Sequence, residues 1–296
     1  ATDVTVLRRG ASVATFSRDA FDEPRIVEAI IGKPAASIVP ASSPASHEPG
    51  LTALSLENIH LRVHGRSVLE GLSLRVRQGE IVGLAGVAGN GQTELASVIA
   101  LSLTPSEGRV RISEADVTED DTGRRRRARL AYIPEDRRKS GLVGSFTVRD
   151  SLFLGGHQRF GKPWKWDRVA MESAAAELIE EFDIRTPSSL VRVDSLSGGN
   201  QQKVVLAREL SRDPRVLLAM YPTQGLDLGA TAFVHQRLRE ARSSGCGILI
   251  VSNDLDELRQ LSDRIAVIYK GRIAGVCDAA GYDEQQIGSW MTTGAS

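Results

Sequence analysis

Short apolar runs alternate with amphipathic stretches along most of the chain. Val216–Met220 is a continuous apolar run, which is typical of a strand buried on both faces of a sheet, and Ile248–Val251 is a second predicted strand. Residues 171–182 instead repeat their apolar positions at helical spacing, as in a helix with one buried face. The same patterns predict further strands near residues 54–56, 72–76, 80–85, 109–112, 130–133 and 265–269, and further helices near residues 93–100, 198–210, 230–241 and 255–262. This alternation predicts an α/β fold with a mostly parallel sheet wrapped by helices.

Composition narrows the class of protein without identifying it. The 296 residues are 41% hydrophobic and 25% charged, as in an ordinary soluble globular protein. Basic and acidic residues number 37 each, so no nucleic-acid partner is expected, although a local charged patch stays open. No apolar run approaches the roughly 20 residues that a membrane-spanning helix needs. Cys246 and Cys277 lack the spacing of a metal site or a disulfide pair, which favours a reduced, cytoplasmic setting.

An internal repeat indicates how the chain is organised. Residues 2–10 parallel residues 263–271, and the same offset of 261 positions aligns residues 21–23 with residues 282–284. Chance similarity between two strand–turn pieces is one explanation. The interpretation that we favour is that residues 1–33 are the C-terminal tail of a preceding, homologous domain, which makes the chain a fragment of a tandem protein.

A linker and one large domain follow this tail. Residues 34–53 contain four prolines among alanine and serine, and proline disfavours both helices and the interior strands of a sheet. The regular apolar pattern begins at Leu54 and continues to the end of the chain. We therefore assign residues 54–296 to a single domain.

A glycine-rich run at the start of a predicted helix is the strongest candidate for a ligand site. Residues 196–203 read Leu-Ser-Gly-Gly-Asn-Gln-Gln-Lys. Glycines at the first helical positions leave backbone N–H groups uncovered, and the N-terminus of a helix carries partial positive charge. Such an arrangement suits a phosphate group. The candidate nucleotide-contacting residues of this run are Ser197, Gly198, Gly199, Asn200 and Gln201.

A second glycine-rich loop joins a predicted buried strand to a predicted helix. Residues 86–93 follow the phosphate-loop pattern G-x-x-x-x-G-K-[ST], except that Gln92 stands where the lysine belongs. The glycines permit a tight curl that directs N–H groups at phosphate oxygens, and Thr93 offers a hydroxyl for Mg²⁺. A neutral amide adds no charge, so we expect weaker nucleotide binding; a glycine-rich turn that binds nothing is the alternative. The candidate residues of this loop are Gly86, Gly89, Asn90, Gly91, Gln92 and Thr93.

Together the two runs resemble the nucleotide-binding domains of ABC transporters. Residues 196–203 match the family signature in the Gly-Asn-Gln-Gln form of sugar and nucleoside importers, and residues 83–92 look like the lysine-free loop common in the second domain of those importers. The resemblance covers roughly residues 54–296. It implies a P-loop NTPase fold, which has a RecA-like, mostly parallel sheet with helices on both faces, an antiparallel β-subdomain and an inserted helical subdomain at about residues 137–203. It also implies ATP and Mg²⁺ as cofactors.

The resemblance implies where hydrolytic residues should stand, and there the sequence departs from the family. A buried strand of the family ends in Asp-Glu, which hold Mg²⁺ and polarise water, but this chain has Met220 and Tyr221 at those positions. Asn253 replaces the family's switch histidine. A thioether offers no charge to a hard cation, and a neutral phenol is a poor base near pH 7. Because Gln92 also replaces the lysine, no catalytic position is intact, and we expect weak or silent hydrolysis; Glu135 as a replacement base is the alternative.

Other segments take their interpretation from the same resemblance. Pro134–Arg137 is typical of this importer branch, where it introduces the segment that faces the permease. Asp227 matches the Gly-Leu-Asp loop that contacts the opposite domain, although an ordinary helix N-cap is the alternative. We interpret Arg124–Arg127 as a solvated surface, and contact with lipid headgroups or nucleic acid is the alternative. Three aromatic residues either pack the helical subdomain or face a permease: Phe160, Trp164 and Trp166.

In the family, two such domains meet head to tail, and each site takes the phosphate loop of one domain and the signature of the other. The resemblance therefore implies that this signature acts in trans on ATP held by a first domain. It implies as partners that first domain or a second copy, transmembrane permease subunits and an extracytoplasmic solute-binding protein, and it implies a peripheral location at the cytoplasmic face of the plasma membrane.

The resemblance implies that the whole subunit hydrolyses ATP, but this half of it is expected to be nearly inactive alone. A non-hydrolysing structural or regulatory module is one alternative. Another P-loop enzyme, such as a kinase, is a second, and the signature and the missing lysine argue against it. The imported solute is a sugar or a nucleoside, and the form of residues 89–92 favours a nucleoside.

Overall fold

The computed structural model describes residues 3–8, 11–17, 22, 25, 26, 29, 51–119, 128–162 and 165–294. Its strands are β1 (Asp3–Arg8), β2 (Ala11–Ser17), β3 (Thr52–Val63), β4 (Arg66–Arg77), β5 (Ile81–Ala85), β6 (Glu107–Ile112), β7 (Ala115–Asp116), β8 (Leu130–Ile133), β9 (Gly161–Lys162), β10 (Lys165–Trp166), β11 (Val216–Met220), β12 (Gly247–Val251), β13 (Arg264–Tyr269) and β14 (Arg272–Asp278). Its α-helices are α1 (Gln92–Ile99), α2 (Val148–Leu152), α3 (Arg168–Glu181), α4 (Gly198–Leu210), α5 (Leu228–Ser243), α6 (Leu255–Leu261) and α7 (Glu284–Thr293). A single π-helical turn spans Arg137–Gly141.

The central sheet has six strands in the order β14-β13-β5-β12-β11-β8. Its strands are parallel except for β14, which pairs antiparallel with β13 at one edge. Every residue of β5, β11 and β12 is buried, as the sequence predicted for β5 and β11. The prediction of an α/β fold with a mostly parallel sheet is confirmed.

The two faces of the central sheet are covered differently. On one face, Leu249 and Val251 of β12 join a core that contains α1 and the inner side of an antiparallel sheet, ordered β4-β3-β6-β7. On the other face, Ile248 and Ile250 of the same strand join a core formed with the remaining helices. Successive side chains of a strand point to opposite faces, so one apolar run supplies both cores. The apolar residues predicted for the antiparallel strands are all buried: Leu54, Leu56, Leu72, Leu74 and Val76.

The inserted helical segment lies between β8 and β11. Met171, Ala175 and Leu178 form the buried face of α3, as the helical spacing predicted. This helix begins at Arg168, earlier than the apolar pattern indicated, because Asp167 caps it: its Oδ1 accepts a hydrogen bond from Ala170 N at 2.9 Å.

The repeated strand–turn–strand pieces have the same pairing. β1 pairs antiparallel with β2, and β13 pairs antiparallel with β14. β3 begins at Thr52, so the range assigned to the linker overlaps the first strand of the domain. Residues 34–50, Arg124–Arg127, Trp164 and most of residues 18–33 lie outside the described residues. Within the part of the chain that the structure describes, no helix is both long enough and apolar enough to cross a membrane.

Candidate functional site

The glycine loop lies where the sequence predicted it, between β5 and α1. Gly89 and Gly91 adopt φ angles of 89° and 104°, in the left-handed region that glycine enters without strain. A Cβ atom on Gly86 would lie 2.8 Å from the carbonyl oxygen of Ile268, so this glycine allows close packing against β13. The loop therefore has the curl of a phosphate loop.

Gln92 turns back into this loop rather than out of it. Its Oε1 accepts a hydrogen bond from the backbone N–H of Asn90 at 3.1 Å, and its Nε2 donates to the carbonyl oxygen of Val87 at 3.0 Å. The residue is only 3% exposed. The carboxamide thus occupies one of the N–H groups that a phosphate would need, and it supplies no charge to replace the missing lysine.

Asn90 ties the same loop to the turn between β13 and β14. Its Oδ1 accepts from Lys270 N at 2.8 Å, its carbonyl oxygen accepts from Gly271 N at 3.0 Å, and its Nδ2 donates to the carbonyl oxygen of Val87 at 2.9 Å. From the sequence, this turn is recognisable only as part of the internal repeat, and no motif indicates its contact with the loop. Both ends of the Asn90 side chain are therefore already engaged within the protein.

The donor set beside the loop does not fit a magnesium ion. Thr93 is exposed and offers one hydroxyl, but Met220, at the position of the family's aspartate, is 1% exposed and has an uncharged thioether. Among the described residues, no group of three or more His, Cys, Asp or Glu side chains is arranged to hold a metal. Thr93 alone is a poor substitute for the carboxylate and hydroxyl ligands of a nucleotide-bound Mg²⁺.

The replaced hydrolytic positions meet at the carboxyl ends of neighbouring strands. Met220 on β11 is paired with Val251 on β12, and Val251 with Leu84 on β5, so Tyr221, Asn253 and the glycine loop follow adjacent strands. Ligands of open α/β sheets bind at this edge. The sequence prediction that these positions belong to one site agrees with that topology.

Tyr221 is a poor base in this position. Burial raises the pKa of its phenol, and the negative charge of Glu135 raises that pKa further, so the phenol is neutral at pH 7. The backbone of Tyr221 has a φ of 45° and its N–H donates to the Val251 carbonyl at 2.7 Å. Glu135 itself is exposed, as is Asn253. None of these contacts restores an activated base.

The signature run begins α4 as predicted. Ser197 is the N-cap, and its Oγ accepts from Asn200 Nδ2 at 3.0 Å. Asn200 Oδ1 accepts from Arg185 N at 2.9 Å, which fixes the first turn against the preceding loop. A Cβ on Gly198 would meet Arg137 Nη2 at 2.7 Å, so the guanidinium of Arg137 lies directly over the start of the helix. The first N–H groups of α4 are thus presented beside a hydroxyl and a cation.

The following residues of the signature face inward. Gln201 is 2% exposed, and its Nε2 donates to the carbonyl oxygens of Leu196 at 3.1 Å and Val193 at 3.3 Å. Gln202 is also buried, and its Nε2 donates to the carbonyl oxygen of Pro222 at 2.8 Å. Gln201 was included among the nucleotide-contacting candidates, but the structure places it beneath the surface as a support for the residues before it.

Asp227 begins α5 as its N-cap. Its Oδ1 accepts from Ala230 N at 2.8 Å, so the capping alternative is what this chain shows. Its carboxylate is exposed at the same time, and a role toward an opposite domain stays a prediction.

Two of the aromatic residues that precede α3 pack within the helical segment. Trp166 stacks on His157 with ring centroids 4.8 Å apart, and Phe160 packs edge-on against Phe153.

Residues 69–224, which include both glycine-rich motifs, match the family model described as ABC transporter. The chain belongs to the ABC transporter family. This membership agrees with the resemblance drawn from the two motifs.

Curated relatives match nearly the whole ABC-type chain. The nucleoside import ATP-binding protein NupA of Lactococcus lactis subsp. cremoris is 36% identical over 98% of this chain. The glucose import ATP-binding protein TsgD13 of Haloferax volcanii is also 36% identical over 98% of it, and the ribose import ATP-binding protein RbsA 2 of Rubrobacter xylanophilus is 36% identical over 92%. The chain spans 58%, 53% and 51% of the length of these three relatives, respectively.

Solved ATP-binding cassettes share the fold. The cassette MJ1267 superposes with a TM-score of 0.68 at 22% identity, covering 82% of this chain and 96% of that one. The dimeric cassette MJ0796 superposes with a TM-score of 0.66 at 22% identity, covering 77% of this chain and all of that one. The ABC ATPase fold, with its antiparallel and helical subdomains, is therefore established.

Proposed function

We propose that this chain is the second, degenerate nucleotide-binding domain of an ATP-binding subunit that serves an importer of nucleosides or simple sugars. Its signature run acts in trans on ATP held by a first domain. The names of the relatives support the class of solute, since these relatives are described as import proteins for nucleosides, glucose and ribose. The loop form of residues 89–92 favours a nucleoside.

One contrast carries the proposal. The start of α4 keeps a capping hydroxyl, two glycines and free helical N–H groups, which is the chemistry that holds a phosphate. In the chain's own glycine loop, the side chain of Gln92 instead forms hydrogen bonds with the loop backbone. Met220, Tyr221 and Asn253 replace the acidic and basic groups of hydrolysis. A chain with one intact and one degenerate half-site fits the role of completing the active site of a partner.

The tandem arrangement has two supports. The curated relatives are nearly twice as long as this chain, and β1–β2 repeats the antiparallel pairing of β13–β14. Residues 1–33 then end the first domain, 34–51 connect the two, and ATP with its Mg²⁺ is held mainly by the first domain. The partners are this domain or a second copy, transmembrane permease subunits and an extracytoplasmic solute-binding protein, with the subunit peripheral at the cytoplasmic face of the plasma membrane.

A non-hydrolysing structural module is the second candidate function. The hydrogen bonds of Gln92 to the backbone of the glycine loop favour it, because they occupy an N–H group that a phosphate would need. Titration of ATP against the homogeneous chain, followed by an assay of phosphate release, separates the candidates. The degenerate-domain proposal expects weak ATP binding without turnover. The structural module expects no binding at millimolar ATP, and clear turnover by the chain alone would contradict both.

The action of the signature in trans is tested in the complete subunit. Ser197→Arg places a long charged side chain over the helix start, so ATP hydrolysis should fall at least about tenfold, since one phosphate-stabilising contact is worth that much or more. Arg185→Ala, which keeps the backbone N–H that binds Asn200, is the matched surface control. Wild-type hydrolysis by Ser197→Arg would show that the signature does not act in this way.

A further inference from the structure

A buried carboxylate on α6 lies between the two loops that follow β11 and β12. Glu257 is 5% exposed, and its Oε1 accepts a hydrogen bond from Thr223 Oγ1 at 2.6 Å. Its Oε2 accepts from Ser252 Oγ at 2.6 Å, and His235 Nε2 lies 3.1 Å from Oε1. Both carboxylate oxygens are thus occupied by protein donors, and Glu257 is not available to touch a nucleotide.

These contacts determine the ionisation of the group. Burial alone raises the pKa of Glu257, but the hydrogen bonds from His235, Ser252 and Thr223 together hold it below the usual range of a glutamate. The carboxylate is therefore charged at neutral pH, and each hydroxyl must donate to it. Removal of one donor leaves a buried negative charge partly unsatisfied, which is costly.

The loop after β11 is held at three successive residues by three different elements. Pro222 accepts from Gln202 on the signature helix α4 at 2.8 Å, and Thr223 donates to Glu257 on α6. The carbonyl oxygen of Gln224 accepts from Arg137 Nη1 at 3.3 Å, and Arg137 also covers Gly198. The position of this loop is therefore coupled to the start of α4 on one side and to Glu257 on the other.

The loop after β12 is attached to the same carboxylate. Ser252 Oγ donates to Glu257 and accepts from the backbone N–H of Asp254 at 3.1 Å, so the turn that carries Asn253 is fixed relative to α6. His235 extends the network into α5, the helix capped by Asp227. One buried group thereby links both loops at the carboxyl edge of the sheet.

We propose that Glu257 is a positioning residue that, through Thr223, sets the loop at residues 221–227 against the signature helix. It thereby aligns the start of α4 for the nucleotide of the opposite domain. The alignment of the loop and α4 stands on this chain alone, whereas its use for a nucleotide in trans rests on the proposed function. Glu257 acts only through the residues it holds.

Thr223→Val and Thr223→Ser provide a matched pair, because valine removes the hydroxyl without changing the size of the side chain and serine keeps it. Hydrogen–deuterium exchange is measured by mass spectrometry on the full 296-residue chain. In Thr223→Val, amides of residues 221–227 and of the first turns of α4 should exchange at least about tenfold faster than in the wild type, because a donor to a buried charge is lost. Thr223→Ser should restore the wild-type rates.

Two further measurements separate coupling from general destabilisation. Asp256→Asn removes one negative charge from the exposed side of the same helix and should leave the exchange rates unchanged. Amides of β12 report global unfolding and should stay protected in every variant. The proposal is wrong if Thr223→Val speeds exchange in the loop but leaves α4 at wild-type rates, or if all amides, including those of β12, speed up equally.

Measurement of ATP hydrolysis by the complete subunit distinguishes this inference from the proposed function. In the complete subunit, Thr223→Val should lower kcat for ATP by about tenfold and leave KM unchanged, because the hydroxyl that is removed is donated to Glu257. If Ser197→Arg abolishes hydrolysis and Thr223→Val has wild-type kcat, the positioning role is wrong while the action in trans stands. If neither variant changes hydrolysis, the action in trans is wrong, and the exchange experiment still decides the coupling.

Discussion

The carboxamide of Gln92 is hydrogen-bonded to the backbone N–H of Asn90, at 3.1 Å, inside the loop that would receive a phosphate. In a phosphate loop, such backbone N–H groups cradle the phosphate oxygens. The side chain that replaces the lysine therefore removes a positive charge and also competes for a binding group. We therefore expect two separate effects to weaken ATP binding at the same half-site.

Gln92→Lys should strengthen ATP binding by this chain at least about tenfold, or 1.4 kcal/mol. The substitution frees the Asn90 N–H and adds a cation, and charge-assisted hydrogen bonds are roughly twice as strong as neutral ones. Calorimetric titration of both proteins measures the change. Gln92→Ala, which frees the N–H without adding charge, is the control and should bind less tightly than Gln92→Lys; equal affinities of the wild type and Gln92→Lys would contradict the explanation.

Gly271→Ala should lower the free energy of unfolding by more than about 3 kcal/mol. Gly271 has a φ of 75°, and a Cβ atom there would lie 2.0 Å from the carbonyl oxygen of Val68. Gly245→Ala is the matched control, because its φ is 92° but nothing lies within 4 Å of its Cβ position, so only backbone strain of about 1 kcal/mol is expected. Urea unfolding measures both, and equal losses would contradict the steric argument.

The two cysteines should differ in reactivity. Burial raises the pKa of the Cys246 thiol to about 12, with a further contribution from the charge of Asp213, so almost no thiolate forms at pH 8. Cys277 is half-buried, and burial also raises its pKa, but the residue is more exposed than Cys246. Iodoacetamide at pH 8 should therefore modify Cys277 in the native protein and both residues in urea, as mass spectrometry would show. Equal native labelling would contradict the burial of Cys246.

The stability contributed by Glu257 should depend on pH. Burial raises its pKa, but three hydrogen bonds lower it below the usual value, so the charged form is stabilised in the folded state. For a depressed pKa, the contribution is present above the unfolded value, about 4.3, and disappears as the pH falls through the folded value. Glu257→Gln should therefore be less stable than the wild type by about 2 kcal/mol at pH 7.

The same difference should shrink in acid. Urea unfolding at pH 7 and below pH 4 compares the two proteins, and Asp256→Asn on the exposed side of α6 should show a much smaller difference at either pH. A difference between wild type and Glu257→Gln that grows as the pH falls would reverse the expected sign and contradict the ionised state.

Much of the fold could be predicted because burial follows local sequence patterns. The continuous apolar run at Val216–Met220 predicted a strand covered on both faces, whereas its pairing with the strand at Gly247–Val251 is known only from the structure. The start of α3 was placed too late because apolar spacing says nothing about caps, and Asp167 extends the helix beyond its buried face. The antiparallel and helical subdomains came from the resemblance of the motifs and not from the apolar pattern.

The sequence by itself determined which chemical groups are present at the nucleotide positions. Gln92, Met220, Tyr221 and Asn253 lack the charge and basicity of the family residues wherever their side chains point. Only the tertiary structure decided what those side chains do: it turns Gln92 into its own loop and brings Asn90 to Lys270, which is 180 positions away. It likewise brings Thr223 to Glu257, 34 positions away. The physical reason is that strand order, and not spacing along the chain, sets which donors and acceptors meet.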